Sequence, residues 1–134
     1  METNKITGAI LGAAIKIHSA LGPGLFESAY RACLCHELNQ RGFRFKVEWV
    51  LPIAYDGLAI DVGYRVDLLV EDTVVVELKA VAKLMPVHEA QLLSYLKLSG
   101  RSVGLLINFH EKHLRRGIKR MVNRASGTAD IKAR

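Results

Sequence analysis

The stretch Val74-Val75-Val76-Glu77-Leu78-Lys79-Ala80 decides how the rest of the chain can be arranged. Three successive valines favour a buried strand. Alternate residues of a strand point to the same face, so Glu77 and Lys79 lie side by side at its end. Such a pair is either an ordinary same-face ion pair, worth under about 1 kcal/mol, or part of a chemical site.

Asp67 is the acidic residue that could join this pair. It ends the segment Tyr64-Arg65-Val66-Asp67, on a strand predicted to run from 58 to about 70. A two-residue turn between the strands would point Asp67 and Glu77 to opposite faces. A three-residue loop at 71–73, or a five-residue one, would place them opposite each other on one face. A metal site therefore requires an odd loop or a bulge here, and we predict one.

The order of the elements follows from hydrophobic periodicity and from the positions of glycine and proline. The sequence predicts helices at 4–21, 25–41, 86–99 and 112–123, and strands at 43–55, 58–70, 74–80 and 101–109. Asp56-Gly57 suits a type I′ turn, and Pro52 suggests an edge position for the first strand. Strict alternation predicts that Phe43, Phe45, Val47 and Trp49 share one face. Together these features predict an α/β (α+β) mixed sheet with a three-stranded meander, a crossover helix and a parallel strand.

The composition places limits on the class of protein. A length of 134 residues suits one domain spanning 1–134, with a frayed tail at 124–134. With 50% hydrophobic and 24% charged residues, the chain is neither disordered nor fibrous. Cys33 and Cys35 are expected to be reduced, and no signal or membrane span is visible, so a cytoplasmic protein is expected. The net charge of +6 permits binding to a polyanion without establishing it.

The acidic residues suggest a metal site. Asp67 and Glu77, with Glu27 from the second helix, are expected to converge at a sheet edge, where they cannot all stay ionised without a cation. Oxygen ligands without cysteine favour Mg²⁺ or Mn²⁺ over zinc. Lys79 could orient a water and stabilise charge on a phosphoryl oxygen, and Gln91 on the third helix could reach the same place. These residues would suit metal-assisted phosphodiester hydrolysis. For Glu27 alone, a first-turn carboxylate favoured by the helix dipole is the simpler interpretation.

The segment Gly24-Leu25-Phe26-Glu27-Ser28-Ala29-Tyr30 resembles the signature of the GxxExxY protein family, which is similar to the PD-(D/E)XK nuclease superfamily. The resemblance runs from about Ile6 to Val122. It includes the Asp67 strand, residues 76–80, 86–95 and 103–109. It implies a restriction-endonuclease-like αβββαβ core, here with an extra N-terminal helix and a C-terminal helix.

The resemblance also implies roles for single residues. Glu27 looks like the acidic residue of the first core helix, and Asp67 like the metal-binding aspartate. Glu77 and Lys79 look like the E-x-K pair. Gln91 and Tyr95 look like the Q-x-x-x-Y element of one nuclease branch, which helps to shape the site and its phosphate contacts. The implied catalytic set is Glu27, Asp67, Glu77, Lys79 and Gln91, and the implied metal ligands are Asp67, Glu77 and Glu27.

The function predicted from these residues is a Mg²⁺-dependent (or Mn²⁺-dependent) nuclease acting on DNA or RNA. Tyr95 and four basic residues are the expected nucleic-acid contacts, although a solvated helix face explains the basic ones equally well: Arg115, Arg116, Lys119 and Arg120. The alternative is a non-catalytic nucleic-acid- or protein-binding module that keeps the nuclease fold. A domain of this size has no obvious specificity element, which favours a homodimer or a protein partner.

Overall fold

A computed structural model describes residues 1–60 and 63–124 of the chain. The helices are α1 (Thr3–Leu21), α2 (Glu27–Gln40) and α3 (Pro86–Ser99). The strands are β1 (Phe45–Val50), β2 (Ile53–Tyr55), β3 (Leu58–Ile60), β4 (Arg65–Val70), β5 (Val74–Lys79), β6 (Val103–Asn108) and β7 (Ile118–Val122). The first three predicted helices are thus confirmed at nearly the predicted bounds.

The main sheet has five strands in the order β1-β4-β5-β6-β7. β5 and β6 are parallel and are joined through α3, whereas the other neighbouring pairs are antiparallel. This confirms the predicted meander, crossover helix and parallel strand. β5 is the central strand, and Val74 to Leu78 are all buried, which explains its nearly continuous apolar sequence.

Helices cover both faces of this sheet. α1 and α2 pack on one face, where residues such as Ile10 and Leu34 contact Val76 and Leu78 of β5. α3 packs on the other face, where Leu92 contacts the side of the sheet that carries Val75. Because alternate residues of a strand share a face, Glu77 and Lys79 belong to the α3 side with Val75.

The predicted C-terminal helix at 112–123 is wrong. Leu114–Gly117 forms one 3₁₀ turn, and β7 then runs antiparallel to β6, with Ile107 opposite Ile118. A β-carbon on Gly117 would lie 2.5 Å from the carbonyl oxygen of Asn108, so only glycine allows the chain to fold back so closely. β6 gains a ladder of hydrogen bonds from this return, which a helix could not supply. Most of the predicted tail, residues 125–134, lies outside the described residues.

The first predicted strands are shorter than expected. The segment 43–55 is interrupted at Leu51 and Pro52, so β2 leaves β1 and pairs with β3 in a separate two-stranded ribbon. Asp56 and Gly57 join this ribbon with φ angles of 51° and 79°, which confirms the type I′ turn. β1 lies at the edge of the main sheet, as Pro52 suggested.

Strict alternation across β1 is also wrong. Phe45 packs on the side of α1 and α2, but Trp49 packs on the side of α3. Glu48 lies between them with a φ of 48°, in the left-handed region that strand residues rarely adopt. This one residue rotates the strand, so that side chains after it point to the opposite face from the one that periodicity predicts.

Candidate active site

The turn between β4 and β5 sets the geometry of the site. Val70 pairs with Val74, so the loop consists of the three residues 71–73. Glu71 and Asp72 have φ angles of 52° and 54°. The predicted odd-numbered loop is therefore confirmed, and the register it sets places Asp67 opposite Glu77.

The two carboxylates lie where the β4–β5 ladder ends. The ladder ends, at the end farther from the turn, with the pair of Leu68 and Val76. Beyond it, Oε2 of Glu77 accepts a hydrogen bond from the backbone N–H of Asp67, at 2.8 Å. Oδ2 of Asp67 accepts one from the backbone N–H of Leu78, also at 2.8 Å. Side-chain oxygens thus replace the main-chain partners that the separating strands lose, and the two acids are held face to face across the gap.

The surroundings of the Glu77 carboxyl group disfavour its ionised form. Glu77 is 6% exposed. Its pKa is raised to about 7, chiefly by burial and also by the charges of Asp67 and, less strongly, Glu27, against the hydrogen bond from the Asp67 N–H and the charge of Lys79. Its second oxygen, Oε1, has no hydrogen-bond partner within residues 1–60 and 63–124. A cation in the gap would relieve both the charge and the unsatisfied oxygen.

Lys79 lies beyond Glu77 at the end of β5. Its main-chain oxygen accepts a hydrogen bond from Phe109 at 2.9 Å. In the described part of the chain, its ammonium group forms no ion pair within 4.0 Å, either with Glu77 or with another acid. The ordinary ion-pair interpretation of Glu77 and Lys79 is therefore wrong. The amine nevertheless lies close enough to lower the pKa of Glu77.

Tyr30 fixes the position from which α2 begins. Its buried hydroxyl accepts a hydrogen bond from the N–H of Leu25 at 3.0 Å and donates one to the carbonyl oxygen of Gly22. Its ring stacks on Phe109, with centroids 4.3 Å apart. The loop before α2 is thus attached to the end of β6, and this places Glu27, the first residue of the helix, where its charge acts on the site.

We expect Tyr30→Phe to destabilise the protein by about 2 kcal/mol, because the substitution removes both hydrogen bonds of a buried side chain, those with Leu25 and Gly22. Urea unfolding of the two forms measures this difference. Tyr55→Phe is the matched control, since the Tyr55 side chain is 71% exposed on the β2–β3 ribbon, and it should leave stability unchanged. Equal effects of the two substitutions would contradict the anchoring role of the Tyr30 hydroxyl.

Gln91 and Tyr95 lie on α3, and Tyr95 is close enough to the two carboxylates to feel their charges. Burial raises the pKa of the Tyr95 phenol, and the charges of Glu77 and Asp67 add to this, while the side chain of Gln91 opposes it. Both residues also line an open groove of about 540 Å³ in which the rings of Tyr64 and Tyr95 lie 6.1 Å apart. Tyr95 thus lies near the hairpin acids, whereas the role of Gln91 in the site stays a prediction.

Three residues that sequence reasoning missed support this region: Arg31, Glu48 and Asn108. The guanidinium of Arg31 contacts Oδ1 of Asp67 at 3.2 Å and Oε2 of Glu48 at 3.7 Å. Asn108 is fully buried, and its amide group makes two hydrogen bonds to the backbone of Val81. Two signals were present in the sequence: Arg31 lies four residues after Glu27 on the same helix face, and Asn108 is a polar residue in an apolar strand, which must be satisfied internally.

A family model described as the PD-(D/E)XK nuclease superfamily matches residues 4–121. The chain belongs to the PD-(D/E)XK nuclease superfamily. The match covers all three helices and every strand up to Met121 of β7, so it includes the whole region described above. No match is found among curated proteins or among solved structures.

PD-(D/E)XK nucleases hydrolyse phosphodiester bonds and generally use divalent metal ions. The residues of this chain fit such an ion, because two opposed carboxylates, one with a buried unpaired oxygen, provide hard oxygen donors. The described residues contain no group of three histidine, cysteine or acidic side chains that could hold a metal. Water or substrate oxygens would therefore complete the coordination, and Glu27 as a third ligand stays a prediction.

The four predicted basic contacts of this PD-(D/E)XK domain do not share one helix face. Arg115 and Arg116 lie in the 3₁₀ turn, whereas Lys119 and Arg120 are consecutive residues of β7 and point to opposite faces. Both terminal nitrogens of Arg120 donate to Oδ1 of Asn4 on α1, at 3.2 Å. All four side chains are exposed. Their contact with nucleic acid stays a prediction.

No helix in the described residues has the length and apolar character of a membrane span.

Proposed function

We propose that the protein is a metal-dependent nuclease that hydrolyses phosphodiester bonds of DNA or RNA. The observation that supports this most directly is the reciprocal bonding of Asp67 and Glu77 at the open end of the β4–β5 ladder. A buried carboxylate that faces a second, half-buried one is unfavourable unless cations compensate the charge, and Arg31 contacts only Asp67 of the two. The superfamily of the chain supplies the class of reaction.

In this proposal Asp67 and Glu77 hold Mg²⁺ or Mn²⁺, and Glu27 adds negative charge or a third ligand. When bound, such an ion polarises a phosphoryl oxygen and lowers the pKa of a bound water. The two main-chain hydrogen bonds keep the carboxylates in place, so little reorganisation is needed when the substrate arrives. The high pKa of Glu77 predicts that metal binding releases a proton near neutral pH.

Lys79 is the proposed group that orients the attacking water and stabilises charge on the phosphoryl oxygens. Its amine is uncommitted to any carboxylate in the described residues, and it lies on the same side of the sheet as Glu77. Gln91 and Tyr95 line the groove along α3 and can donate to a phosphate oxygen. Arg115, Arg116 and Lys119 provide exposed positive charge for the backbone of the substrate.

The test is a cleavage assay with single- and double-stranded DNA and RNA in Mg²⁺, in Mn²⁺ and in EDTA. We expect metal-dependent cleavage of at least one substrate and none in EDTA. Lys79→Ala should lower the rate about a hundredfold, because a charge that acts in the transition state is removed. Lys5→Ala, an exposed lysine in the first turn of α1, is the matched control and should retain the rate.

Each outcome separates the possible functions. Cleavage that survives Lys79→Ala unchanged would mean that the assigned site is not the active site. Nucleic-acid binding without cleavage in any metal would instead favour a non-catalytic module. Light scattering of the same samples shows whether the active form is a homodimer. If the purified protein does not bind added nucleic acid, binding requires a further protein.

A further inference from the structure

Arg31 connects α2 to two acidic residues of neighbouring strands. Its Nη1 lies 3.2 Å from Oδ1 of Asp67, which is the carboxylate oxygen that does not bond to the backbone. Its Nη2 lies 3.7 Å from Oε2 of Glu48. A positive charge therefore already occupies the free side of the carboxylate that would hold a metal.

Glu48 is held in an unusual conformation for this contact. It lies on β1 between Val47, which pairs with Leu68, and Trp49, which pairs with Val66, and so it stands opposite Asp67. Its φ of 48° lies in the left-handed region, which is unfavourable for a residue with a side chain. The side chain itself is about half exposed, so burial of the side chain does not explain the conformation. What the conformation achieves is a second acceptor for Arg31 beside the first.

We propose that Arg31 is the internal counter-cation of the carboxylate pair: it holds Asp67 while no divalent cation is bound and transfers to Glu48 when one binds. This inference rests on the proposed metal site. A guanidinium and a divalent cation on the same carboxylate repel each other. Because Nη2 is already close to Glu48, rotation of the end of the Arg31 side chain suffices to complete the transfer, without movement of α2. Arg31 is thus a positioning residue and Glu48 its alternative partner.

The inference predicts opposite effects for two charge-removing substitutions. Arg31→Gln removes the competing cation, so the protein should bind Mn²⁺ about tenfold more tightly. Glu48→Gln removes the alternative partner, so the protein should bind Mn²⁺ several-fold more weakly, on the order of three- to tenfold. Arg31→Lys keeps the charge and should return the affinity most of the way to wild type. Isothermal titration of the folded proteins with Mn²⁺ measures all three.

A matched control and a second measurement exclude a general effect of losing an arginine. Arg41→Gln alters the arginine that directly follows α2, which pairs with Glu37 four residues earlier, and should leave Mn²⁺ affinity unchanged. In EDTA, Arg31→Gln should lower the melting temperature because the carboxylates lose their counter-charge, and Mn²⁺ should restore it. A residue that only braces the fold would lower the melting temperature with and without metal.

The results distinguish this inference from the proposed function. If wild-type protein binds no Mn²⁺, both fail. If wild type binds Mn²⁺ but Arg31→Gln binds it equally or more weakly, the counter-cation role alone is overturned and the metal site stands. If Arg31→Gln and Glu48→Gln shift the affinity in the same direction, transfer between the two acids is excluded.

Discussion

Asp67→Asn is expected to lower metal-dependent cleavage at least about a hundredfold. The substitution keeps the size of the side chain, and the amide oxygen can still accept the hydrogen bond from the Leu78 N–H. It removes the negative charge that faces the gap, and with it one of two hard ligands for the metal. A loss of about 2.7 kcal/mol of transition-state stabilisation corresponds to this hundredfold change. Single-turnover cleavage at saturating Mn²⁺ measures it.

The control for this substitution is Asp56→Asn. Asp56 lies at the turn of the β2–β3 ribbon with a φ of 51°, a conformation that asparagine tolerates well. It should cleave at the wild-type rate. Thermal unfolding in EDTA must show that Asp67→Asn is folded. A folded Asp67→Asn protein with unaltered cleavage would remove Asp67 from the site and leave the role of Glu77 without its partner.

The position of the two acids could be predicted because it depends on local rules. Alternation of side chains and the number of residues in one turn decide whether Asp67 meets Glu77, and both can be counted in the sequence. The hydrogen bonds between their carboxylates and the opposite backbone could not be predicted from the sequence. They arise because β4 separates from β5 beyond Leu68, and nothing near Leu68 in the sequence specifies where two strands part.

The predictions from the sequence that proved wrong share a physical cause: pairing between residues far apart in the chain overrides local preference. The basic segment after Lys112 has the composition of a helix, yet it becomes β7 because β6 offers an unpaired edge. The residues around Glu48 alternate as in a regular strand, so the sequence predicts an extended backbone there. Its backbone is instead in the left-handed region, and its side chain pairs with Arg31, a residue seventeen positions away. Arg31 and Asn108 acquire their roles only through such distant partners.

Glu77→Gln is expected to stabilise the metal-free protein, and increasingly so as the pH rises. The folded state raises the pKa of Glu77 from 4.5 to about 7. Below about pH 4.5 the carboxyl is protonated in both folded and unfolded chains, so it adds no penalty. Between 4.5 and 7 the unfolded chain ionises first and stability falls with pH. Above 7 the penalty is complete and amounts to about 3 kcal/mol. Glutamine does not titrate, and its amide oxygen can still accept from the Asp67 N–H.

Urea unfolding in EDTA at several pH values between 5 and 9 measures this difference. The gain from Glu77→Gln should grow through this range and level off above about pH 7. Glu2→Gln, at an exposed residue before α1, should show a constant difference across the same range. Mn²⁺ should reverse the order at high pH, because it stabilises wild type by binding the ionised pair and has one ligand fewer in the variant. A gain that is flat with pH would mean that Glu77 is not held near neutrality. A gain that persists undiminished in Mn²⁺ would mean that Glu77 and Asp67 bind no cation, because a bound ion stabilises the wild-type carboxylates more than the variant.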